Sequence, residues 1–236
     1  MNGPQRRLGV CVPAAGAGLR MGGTRKAFLE LAGEPLLLHA LRPFLDRSDV
    51  TSLAVALPAD EAIEPPEWIR GLDPRMRLVT GGATRAQSVA AALAALDPDV
   101  EIVLVHDAAR PLLTGEIIDR CVAAVGNEVG AVAGWPVVDT LKEVDDEGWI
   151  VSTPDRGRIR HAQTPQAFPR ARLVEAYRRA GVEGGSATDD AAVFERAGGR
   201  VRIVEGAPWN LKVTVPEDLV VAEAFMARRA AQGGGA

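Results

Sequence analysis

The sequence predicts an α/β fold in which helices cover both faces of a mostly parallel sheet. Apolar runs typical of buried strands recur along the chain and alternate with amphipathic segments typical of helices. The predicted strands cover residues 8–12, 53–57, 76–79 and 102–106, and the helices between them include 36–45 and 85–96. Alternation of this kind indicates βαβ units, because parallel neighbours need a crossover connection. We expect residues 1–236 to form one domain, since a chain of 236 residues fits a single α/β core.

The composition indicates a protein with no general attraction to polyanions. Lys and Arg number 27 and Asp and Glu 31, which gives a net charge of −4. We therefore expect no binding to nucleic acid or to an anionic membrane, and any phosphate binding must be local. Cys11 and Cys121 each lie in an apolar segment, which indicates core thiols rather than a disulfide framework or a metal set. With no signal-peptide pattern and no apolar run of roughly 20 residues, we expect a cytoplasmic location.

The loop after the first strand combines small residues with a run of cations. Its glycines and cations include Gly16, Gly18, Arg20, Arg25 and Lys26. Glycine allows phosphate oxygens to approach the backbone closely, and the cations supply charge, so the loop predicts a phosphate or nucleotide site. It is not a P-loop, which needs Gly-Lys before Ser or Thr, and Met21 replaces the third glycine of the dinucleotide pattern. Cations that wrap a triphosphate are typical of nucleotidyl transfer to sugar phosphates.

Two further loops follow the third and fourth strands. Because the carboxyl ends of parallel strands meet at one edge of a sheet, we expect residues 80–84 and 107–111 to join the first loop in one site. The amides of Gly81 and Gly82 and the hydroxyl of Ser88 can read a pyrimidine edge. Asp107 and Arg110 can meet a metal-bound phosphate or a sugar hydroxyl, or pair with each other. We interpret His106, a lone histidine in an apolar strand, as a core residue.

The second half of the chain begins with a polar segment, residues 139–160, that breaks the α/β pattern. A turn signal at 145–148 between 141–144 and 149–151 predicts a projecting β-hairpin arm. Such an arm cannot bury both faces on its own domain, which suggests a homodimer formed through it. Further helices are predicted at 171–180, at 189–197 and after Pro216, a strand at 200–204, and a frayed tail at 232–236.

Two polar positions in this half predict local contacts, one as a helix cap and one as a member of an ion pair. Thr188 or Asp189 is expected to cap the helix that follows it. Lys212 is flanked by Leu211 and Val213 in a strand-like stretch, so its ammonium group needs an anionic partner.

Together these clusters resemble the 2-C-methyl-D-erythritol 4-phosphate cytidylyltransferases of the non-mevalonate isoprenoid pathway. The resemblance spans nearly the whole chain and rests on an ordered series of motifs at 13–21, 26, 81–89, 106–111, 139–140, 155–156, 162–166, 188–190 and 210–218. It implies a three-layer Rossmann-like nucleotidyltransferase fold with a mostly parallel sheet and a projecting β-arm. It also implies transfer of CMP from CTP to 2-C-methyl-D-erythritol 4-phosphate, with release of pyrophosphate, by in-line attack on the α-phosphorus.

The resemblance further implies roles for individual residues. The catalytic cations are Arg20 and Lys26, which stabilise the pentacoordinate phosphorus, and Arg156 and Lys212, which hold the acceptor phosphate. CTP lies against Pro13, Ala14, Ala15, Gly16, Gly18, Gly81, Gly82 and Ser88, and Mg²⁺ is held mainly by its phosphates, with Asp107 as a candidate ligand. The acceptor pocket comprises Asp107, Arg110, Thr140, Thr164 and Thr188. The arm that carries Thr140 and Arg156 reaches into the partner's site, so the active unit is a homodimer.

Two other functions stay open at this point. A homologous enzyme could keep the CTP loops and use another alditol phosphate as acceptor, such as ribitol 5-phosphate. A nucleotide-binding regulator without catalytic activity could share the fold, because fold alone does not fix function. The presence of Arg20, Lys26, Asp107 and Lys212 favours an enzyme.

Overall fold

The computed structural model describes residues 6–16, 25–181 and 188–233, with the side chains of Lys26 and of residues 232 and 233 left out. In these ranges the strands are β1 (Leu8–Pro13), β2 (Glu30–Leu31), β3 (Glu34–Pro35), β4 (Val50–Leu57), β5 (Met76–Thr80), β6 (Ile102–Val105), β7 (Val129–Pro136), β8 (Glu143–Val144), β9 (Ile150–Ser152), β10 (Arg160–Pro169) and β11 (Arg200–Glu205). The α-helices are α1 (Leu36–Leu45), α2 (Ala59–Ile63), α3 (Arg85–Ala95), α4 (Gly115–Ala124), α5 (Arg170–Ala180), α6 (Asp190–Arg196) and α7 (Glu217–Gly233).

Seven of the described strands form one sheet in the order β11-β7-β10-β6-β1-β4-β5. Strand β10 runs antiparallel to both of its neighbours, and the other described neighbours pair in parallel. The predicted α/β fold with a mostly parallel sheet is therefore confirmed. Strands β1 and β6 are buried along almost their whole length, as expected for parallel strands that are covered on both faces.

Successive side chains of the central strands enter two different cores. Val10 and Val12 of β1 pack in the core that includes residues of α1 and α4, whereas Cys11 packs in the core that includes residues of α3, α5 and α6. This alternation produces the three layers. Cys121 of α4 lies in the first core, so both cysteines are buried free thiols, as predicted. Burial raises the pKa of the Cys121 thiol to about 12.

The predicted β-hairpin arm is present as the antiparallel pair β8–β9. Its turn contains Gly148 with a φ of 89°, a backbone conformation that suits glycine. The carboxylate of Asp145 accepts hydrogen bonds from the amides of Glu147 and Trp149 and so fixes the turn.

The prediction of a strand-like conformation around Lys212 was wrong. Residues 211–213 are irregular, because the hydrogen bonds of this segment go to other elements rather than to a strand ladder. The amide of Val213 donates to the carbonyl of Ala109 at 2.8 Å, and the side chain of Asn210 donates to the carbonyl of Thr164. These bonds fasten the segment to the loop after β6 and to the first half of β10.

The last helix begins after Pro216, as predicted, and α7 continues through Gly233. It therefore includes the first two residues of the tail that was expected to fray at 232–236, and the remaining three lie outside the described residues. Among the helices of the described part, none combines the length and apolar character that crossing a bilayer requires.

Candidate active site

A cleft of about 460 Å³ opens where β1 and β6 end and α3 begins. The loops that leave these strands, which the sequence placed at one edge of the sheet, do meet there. The cleft is lined by several of the predicted site residues, namely Pro13, Ala14, Ala15, Gly16, Gly82, Ser88, Asp107 and Lys212. Small side chains predominate on the β1 side of the cleft. Charged side chains, namely Arg85, Asp107 and Lys212, form a second side at the end of β6, which we call the charged wall. The first side leaves space for a nucleotide base, and the charged wall offers cations to phosphate groups.

The glycine pair after β5 brings two loops into direct contact. A Cβ at Gly81 would lie 2.4 Å from the Cβ of Ala15 and 2.9 Å from the Oγ of Ser88, so only glycine allows this approach. The amide of Gly82 donates to Ser88 Oγ at 3.2 Å, and that hydroxyl donates to the carbonyl of Thr84 at 3.0 Å. Ser88 is buried, and in this structure its hydroxyl supports the loop.

Helix α3 is oriented at the cleft by a capping box. Thr84 Oγ1 accepts from the amide of Gln87 at 3.1 Å, and Gln87 Oε1 accepts from the amide of Thr84 at 3.2 Å. Arg85 is the first residue of the helix, so the cap determines where its side chain leaves the backbone. Arg85 lines the cleft beside Asp107.

Asp107, at the end of β6, is the centre of the charged wall. Its Oδ2 accepts from Lys212 Nζ at 2.8 Å, and its Oδ1 accepts from Arg85 Nε at 3.1 Å. The guanidinium of Arg110 lies 3.9 Å away. Burial alone would raise the pKa of the Asp107 carboxyl, but the charges of Arg85, Lys212 and Arg110 outweigh it and hold that pKa well below its usual range. Asp107 is therefore the anionic partner that Lys212 was predicted to need.

Arg110 and Thr164 lie under the cleft and support its floor. The Arg110 guanidinium donates to the carbonyls of Asn210 at 2.7 Å and Ala162 at 3.2 Å, so it ties the Lys212 segment to β10. Thr164 Oγ1 accepts from the amide of Asp107 at 3.0 Å. Both side chains are buried. Their predicted contacts with an acceptor stay predictions, and their contacts here position Asp107 and Lys212.

His106 is fully buried beside Asp107, as the interpretation as a core residue expected. Its Nε2 lies 3.1 Å from the carbonyl of Arg110, and a carbonyl can only accept, so Nε2 carries a proton. Its Nδ1 lies 2.9 Å from Thr164 Oγ1 and can accept from that hydroxyl. Burial lowers the pKa of His106 to about 4, so the imidazole is neutral at pH 7.

This neutral histidine predicts a pH dependence of stability. The unfolded chain binds a proton at His106 below about pH 6.5 and the folded chain only below about pH 4, so acidification between these values favours unfolding by roughly 3 kcal/mol in total. Urea unfolding at several pH values measures this slope. In His106→Asn the slope should be smaller by up to about 1.4 kcal/mol per pH unit. Equal slopes in this variant and in the exposed control His161→Gln would contradict the assignment.

Other predicted site residues lie away from the cleft in this single chain. Thr140 and Arg156 are exposed on the arm, and Arg156 Nη1 donates to the carbonyl of Val138. Thr188 is also exposed, next to Asp189. Asp189 is the residue that caps α6, with its carboxylate accepting from the amide of Ala192 at 2.9 Å, so the predicted cap is confirmed.

The cation-rich part of the first loop is described only in part. Gly18, Arg20 and the side chain of Lys26 lie outside the described residues. Arg25 is described, and its guanidinium forms ion pairs with Asp60, at 2.7 Å, and with Glu61. Both acids belong to α2, so the charge of Arg25 is compensated at that helix rather than at the charged wall.

Sequence reasoning missed a second buried carboxylate behind the cleft. Arg85 Nη2 donates to Asp190 Oδ2 at 2.8 Å, and the hydroxyl of Tyr177 donates to Asp190 Oδ1 at 2.5 Å. Arg85 was noted only as part of the glycine motif and Asp190 only as part of a capping cluster. One signal in the sequence could have identified Asp190. Asp189 already caps α6, so a second acid at position 190, three and four residues before the buried Val193 and Phe194, is not needed as a cap and lies on the buried face of the helix.

The charged wall can contribute to a metal site only in a limited way. Among the described residues, no group of three or more His, Cys, Asp or Glu side chains is arranged to hold an ion. Asp107 is the only carboxylate among the described residues that line the cleft, and Arg85 and Lys212 already bond its oxygens. Mg²⁺ often takes most of its ligands from substrate phosphates and water. These residues therefore fit a magnesium ion only if the nucleotide phosphates supply most of its ligands.

Comparisons with known proteins agree along the length of the chain. The family model of 2-C-methyl-D-erythritol 4-phosphate cytidylyltransferase (IspD) matches residues 8–228. The protein of that name from Symbiobacterium thermophilum is 43% identical over 232 residues, which cover 98% of this chain and 97% of the relative. The crystal structure of the protein of that name from Thermus thermophilus is 37% identical with a TM-score of 0.76, and the match covers 92% of this chain and 98% of that one. The crystal structure of 4-diphosphocytidyl-2C-methyl-D-erythritol synthase from Anaerococcus prevotii has a TM-score of 0.83 at 27% identity, and the match covers 94% of this chain and 97% of that one.

Proposed function

The chain belongs to the 2-C-methyl-D-erythritol 4-phosphate cytidylyltransferase family, and from this premise we propose how its cleft performs the reaction of that family. The protein is a CTP-dependent nucleotidyltransferase. It transfers CMP from CTP to 2-C-methyl-D-erythritol 4-phosphate, and the products are 4-diphosphocytidyl-2-C-methyl-D-erythritol and pyrophosphate. The observation that carries the proposal is the cleft itself, in which a wall of small residues faces Asp107 and the cations around it.

The reaction is a direct displacement at phosphorus. An oxygen of the acceptor phosphate forms a bond to the α-phosphorus of CTP, and the bond from that phosphorus to the bridging oxygen of the β-phosphate breaks. Pyrophosphate leaves with the electron pair. A phosphate monoester is largely dianionic at pH 7, because its second pKa is about 6, so the nucleophile needs no general base. The cleft accordingly needs to supply position and charge rather than proton transfer.

The two walls divide this work. The base and ribose of CTP lie against Ala14, Ala15 and Gly16 and against Gly81 and Gly82, where the two loops are in contact and no large side chain intervenes. Lys212 approaches the acceptor phosphate from the charged wall. Its ammonium group is held by Asp107 at 2.8 Å, and the Lys212 side chain is 40% exposed, so it is both positioned and accessible. Arg20 and Lys26 supply charge to the pentacoordinate phosphorus from the first loop.

Mg²⁺ fits this arrangement as an ion that the CTP phosphates hold, with Asp107 as the candidate protein ligand. The ion supplies charge neutralisation and orients the triphosphate when it is bound. Arg85, Arg110 and Lys212 keep Asp107 ionised, which is the form that a cation can approach.

The test of this function is pyrophosphate release with defined pairs of substrates. CTP with methylerythritol 4-phosphate should react, and ATP, GTP or UTP in place of CTP should react much more slowly. Faster release with ribitol 5-phosphate would assign the other acceptor. CTP binding without release for any acceptor would show a nucleotide-binding protein without this activity.

The active unit in this proposal is a homodimer that forms through the arm. Five apolar side chains on or beside β8 and β9 are more than half exposed, namely Val138, Val144, Trp149, Ile150 and Val151. A patch of this kind on a two-stranded arm needs a covering surface. In the dimer each arm brings its Thr140 and Arg156 to the partner's cleft. We further propose a cytoplasmic location, which the buried free thiols Cys11 and Cys121 support because they fit a reducing compartment.

The role of Arg156 across the dimer predicts a selective defect. Arg156→Ala should lower kcat/KM for the acceptor by about 10²-fold and change CTP affinity by less than about 3-fold, because the arginine meets only the acceptor phosphate. Arg158→Ala is a matched control in the same short helix, Arg156–Arg158, and should retain activity. Equal losses for acceptor and CTP would contradict this role.

Co-expression tests whether the site is shared. A dimer that combines one Arg156→Ala chain with one Lys212→Met chain has one complete site. A mixture of equal parts should recover about a quarter of wild-type activity, because half of the dimers are mixed and each of these has one intact site of two. Recovery no greater than the sum of the two parent variants would place Arg156 in the cleft of its own chain.

A further inference from the structure

A connected set of side chains runs from the cleft to two buried residues behind the charged wall, Asp190 and Tyr177, to which the proposed reaction assigns no role. Arg85 bonds two carboxylates that lie far apart in the sequence, with Nε on Asp107 at 3.1 Å and Nη2 on Asp190 at 2.8 Å. The first carboxylate follows β6, and the second begins α6. One planar guanidinium thus fixes the end of the sheet against a helix on its face.

The far end of this set is buried, and both of its carboxylate oxygens have a partner. Asp190 is completely buried, and its two oxygens accept from Arg85 and from the hydroxyl of Tyr177 on α5. Neither of these oxygens can reach a ligand in the cleft. Asp190 therefore acts on the cleft only through Arg85, and Tyr177 only through Asp190.

The near end of the set determines where Lys212 lies. Asp107 is held on one oxygen by Arg85 and on the other by Lys212, so the plane of its carboxylate is fixed from two sides. Arg110 is 3.9 Å away and uses its Nη1 and Nη2 on carbonyls of the chain. If Arg85 were absent, the carboxylate would keep Lys212 as its one close cationic partner and could rotate with it.

The balance of charge also depends on Arg85. The set contains two carboxylates and three cations. The carboxylates are those of Asp107 and Asp190, and the cations are Arg85, Arg110 and Lys212. These five groups together carry one net positive charge next to the cleft. Without Arg85 the net charge of these groups would be zero, although two anionic substrates must meet there.

We infer that Arg85 is a positioning residue for acceptor binding: anchored by Asp190 and Tyr177, it orients Asp107 and thereby holds Lys212 where the acceptor phosphate binds. This inference rests on the proposed function. Arg85 has to bond two separated carboxylates at once, and the geometry of a guanidinium allows this whereas a single ammonium group does not.

Steady-state kinetics of pyrophosphate release, with each substrate varied in turn, tests the inference. Arg85→Gln should lower kcat/KM for methylerythritol 4-phosphate by about 10²-fold, since a misplaced binding group costs about that much, and should change the KM for CTP by less than about 3-fold. Arg85→Lys should fail to restore wild-type kinetics and lose at least about 10-fold. Arg77→Gln is the matched control, because Arg77 is an exposed cation paired with Asp97 outside the cleft.

A double variant separates positioning from a direct contact with substrate. Asp190→Asn alone should lower kcat/KM for the acceptor, as Arg85→Gln does. The double variant should lose little more than Arg85→Gln alone, because Asp190 acts on the cleft only through Arg85. Wild-type kinetics for Arg85→Lys, additive losses in the double variant, or a loss confined to the KM for CTP would each overturn the inference.

A milder variant keeps the test usable if the buried substitutions prevent folding. If Arg85→Gln or Asp190→Asn fails to fold, Tyr177→Phe removes only the hydroxyl that anchors Asp190 and should raise the acceptor KM by about 3-fold, since one buried hydrogen bond is lost. An unchanged acceptor KM in a folded Tyr177→Phe enzyme would overturn the inference. Failure of the wild-type enzyme to react with either acceptor would instead count against the proposed function.

Discussion

Replacement of Lys212 by methionine is expected to lower kcat/KM for the acceptor by about 10²- to 10³-fold, the usual effect of removing one preorganised donor that stabilises charge in a transition state. Methionine keeps an unbranched apolar side chain of similar length but has no ammonium group. Asp107 keeps Arg85 and Arg110 as cationic neighbours, so the fold should persist. The KM for CTP should change by less than about 3-fold, because Lys212 is proposed to meet the acceptor phosphate. Initial rates with each substrate varied in turn give both constants.

Two controls make the Lys212→Met result specific. Arg77→Met removes an exposed cation outside the cleft and should leave the rates unchanged. Circular dichroism of Lys212→Met should match the wild type. A loss of less than about 5-fold, or an equal loss for CTP, would show that Lys212 does not hold the acceptor phosphate.

The second large effect is expected for Asp107→Asn, which should impair both stability and catalysis. The amide leaves Arg85, Arg110 and Lys212 without the negative charge at their centre, and breaking such a pair typically destabilises by about 3 kcal/mol. Because Lys212 then loses its positioning partner, kcat/KM for the acceptor should fall by about 10²-fold. Urea unfolding and acceptor kinetics measure the two effects separately.

The pH dependence of this destabilisation has a definite sign. The folded pKa of Asp107 is depressed, so its contribution to stability is present above the unfolded value of about 3.9 and is lost as the pH falls further towards the folded pKa. The difference between wild type and Asp107→Asn should therefore be largest near neutral pH and narrow below about pH 4. Asp119→Asn, an exposed carboxylate paired with Arg47, should change stability by less than about 1 kcal/mol at any of these pH values. A difference in the free energy of unfolding between wild type and Asp107→Asn that does not change with pH would contradict a depressed pKa of Asp107 in the folded protein.

The fold could be predicted well because its signals are local. Each predicted strand of the first half is present within a few residues, since buried parallel strands are apolar runs and the helices between them are periodic. The meeting of the three loops followed from topology alone, because consecutive parallel strands end at one edge. The arm was predicted from a turn signal between two short β-like runs.

The parts that could not be predicted depend on contacts between distant residues. Arg85 and Asp190 are 105 positions apart, as are Asp107 and Lys212, and no local pattern records either pair. Lys212 was expected to need an anion, but only the fold identifies it as Asp107. The alternation of Leu211, Lys212 and Val213 resembled a strand, yet Val213 and Leu211 pack on a small core with Leu31, Leu36 and Leu112 in an irregular conformation. Apolar alternation over three residues cannot distinguish these two cases.

Direct attack of the acceptor phosphate on CTP is tested by the stereochemical course of the reaction at the α-phosphorus. CTP made chiral by sulfur at that atom is incubated with the enzyme and methylerythritol 4-phosphate, and the configuration of the product is determined by phosphorus NMR. A cleft that positions two anions for one in-line displacement predicts the cytidylyl product with inverted configuration. Retention would reveal a covalent cytidylyl-enzyme intermediate and contradict direct attack by the acceptor phosphate.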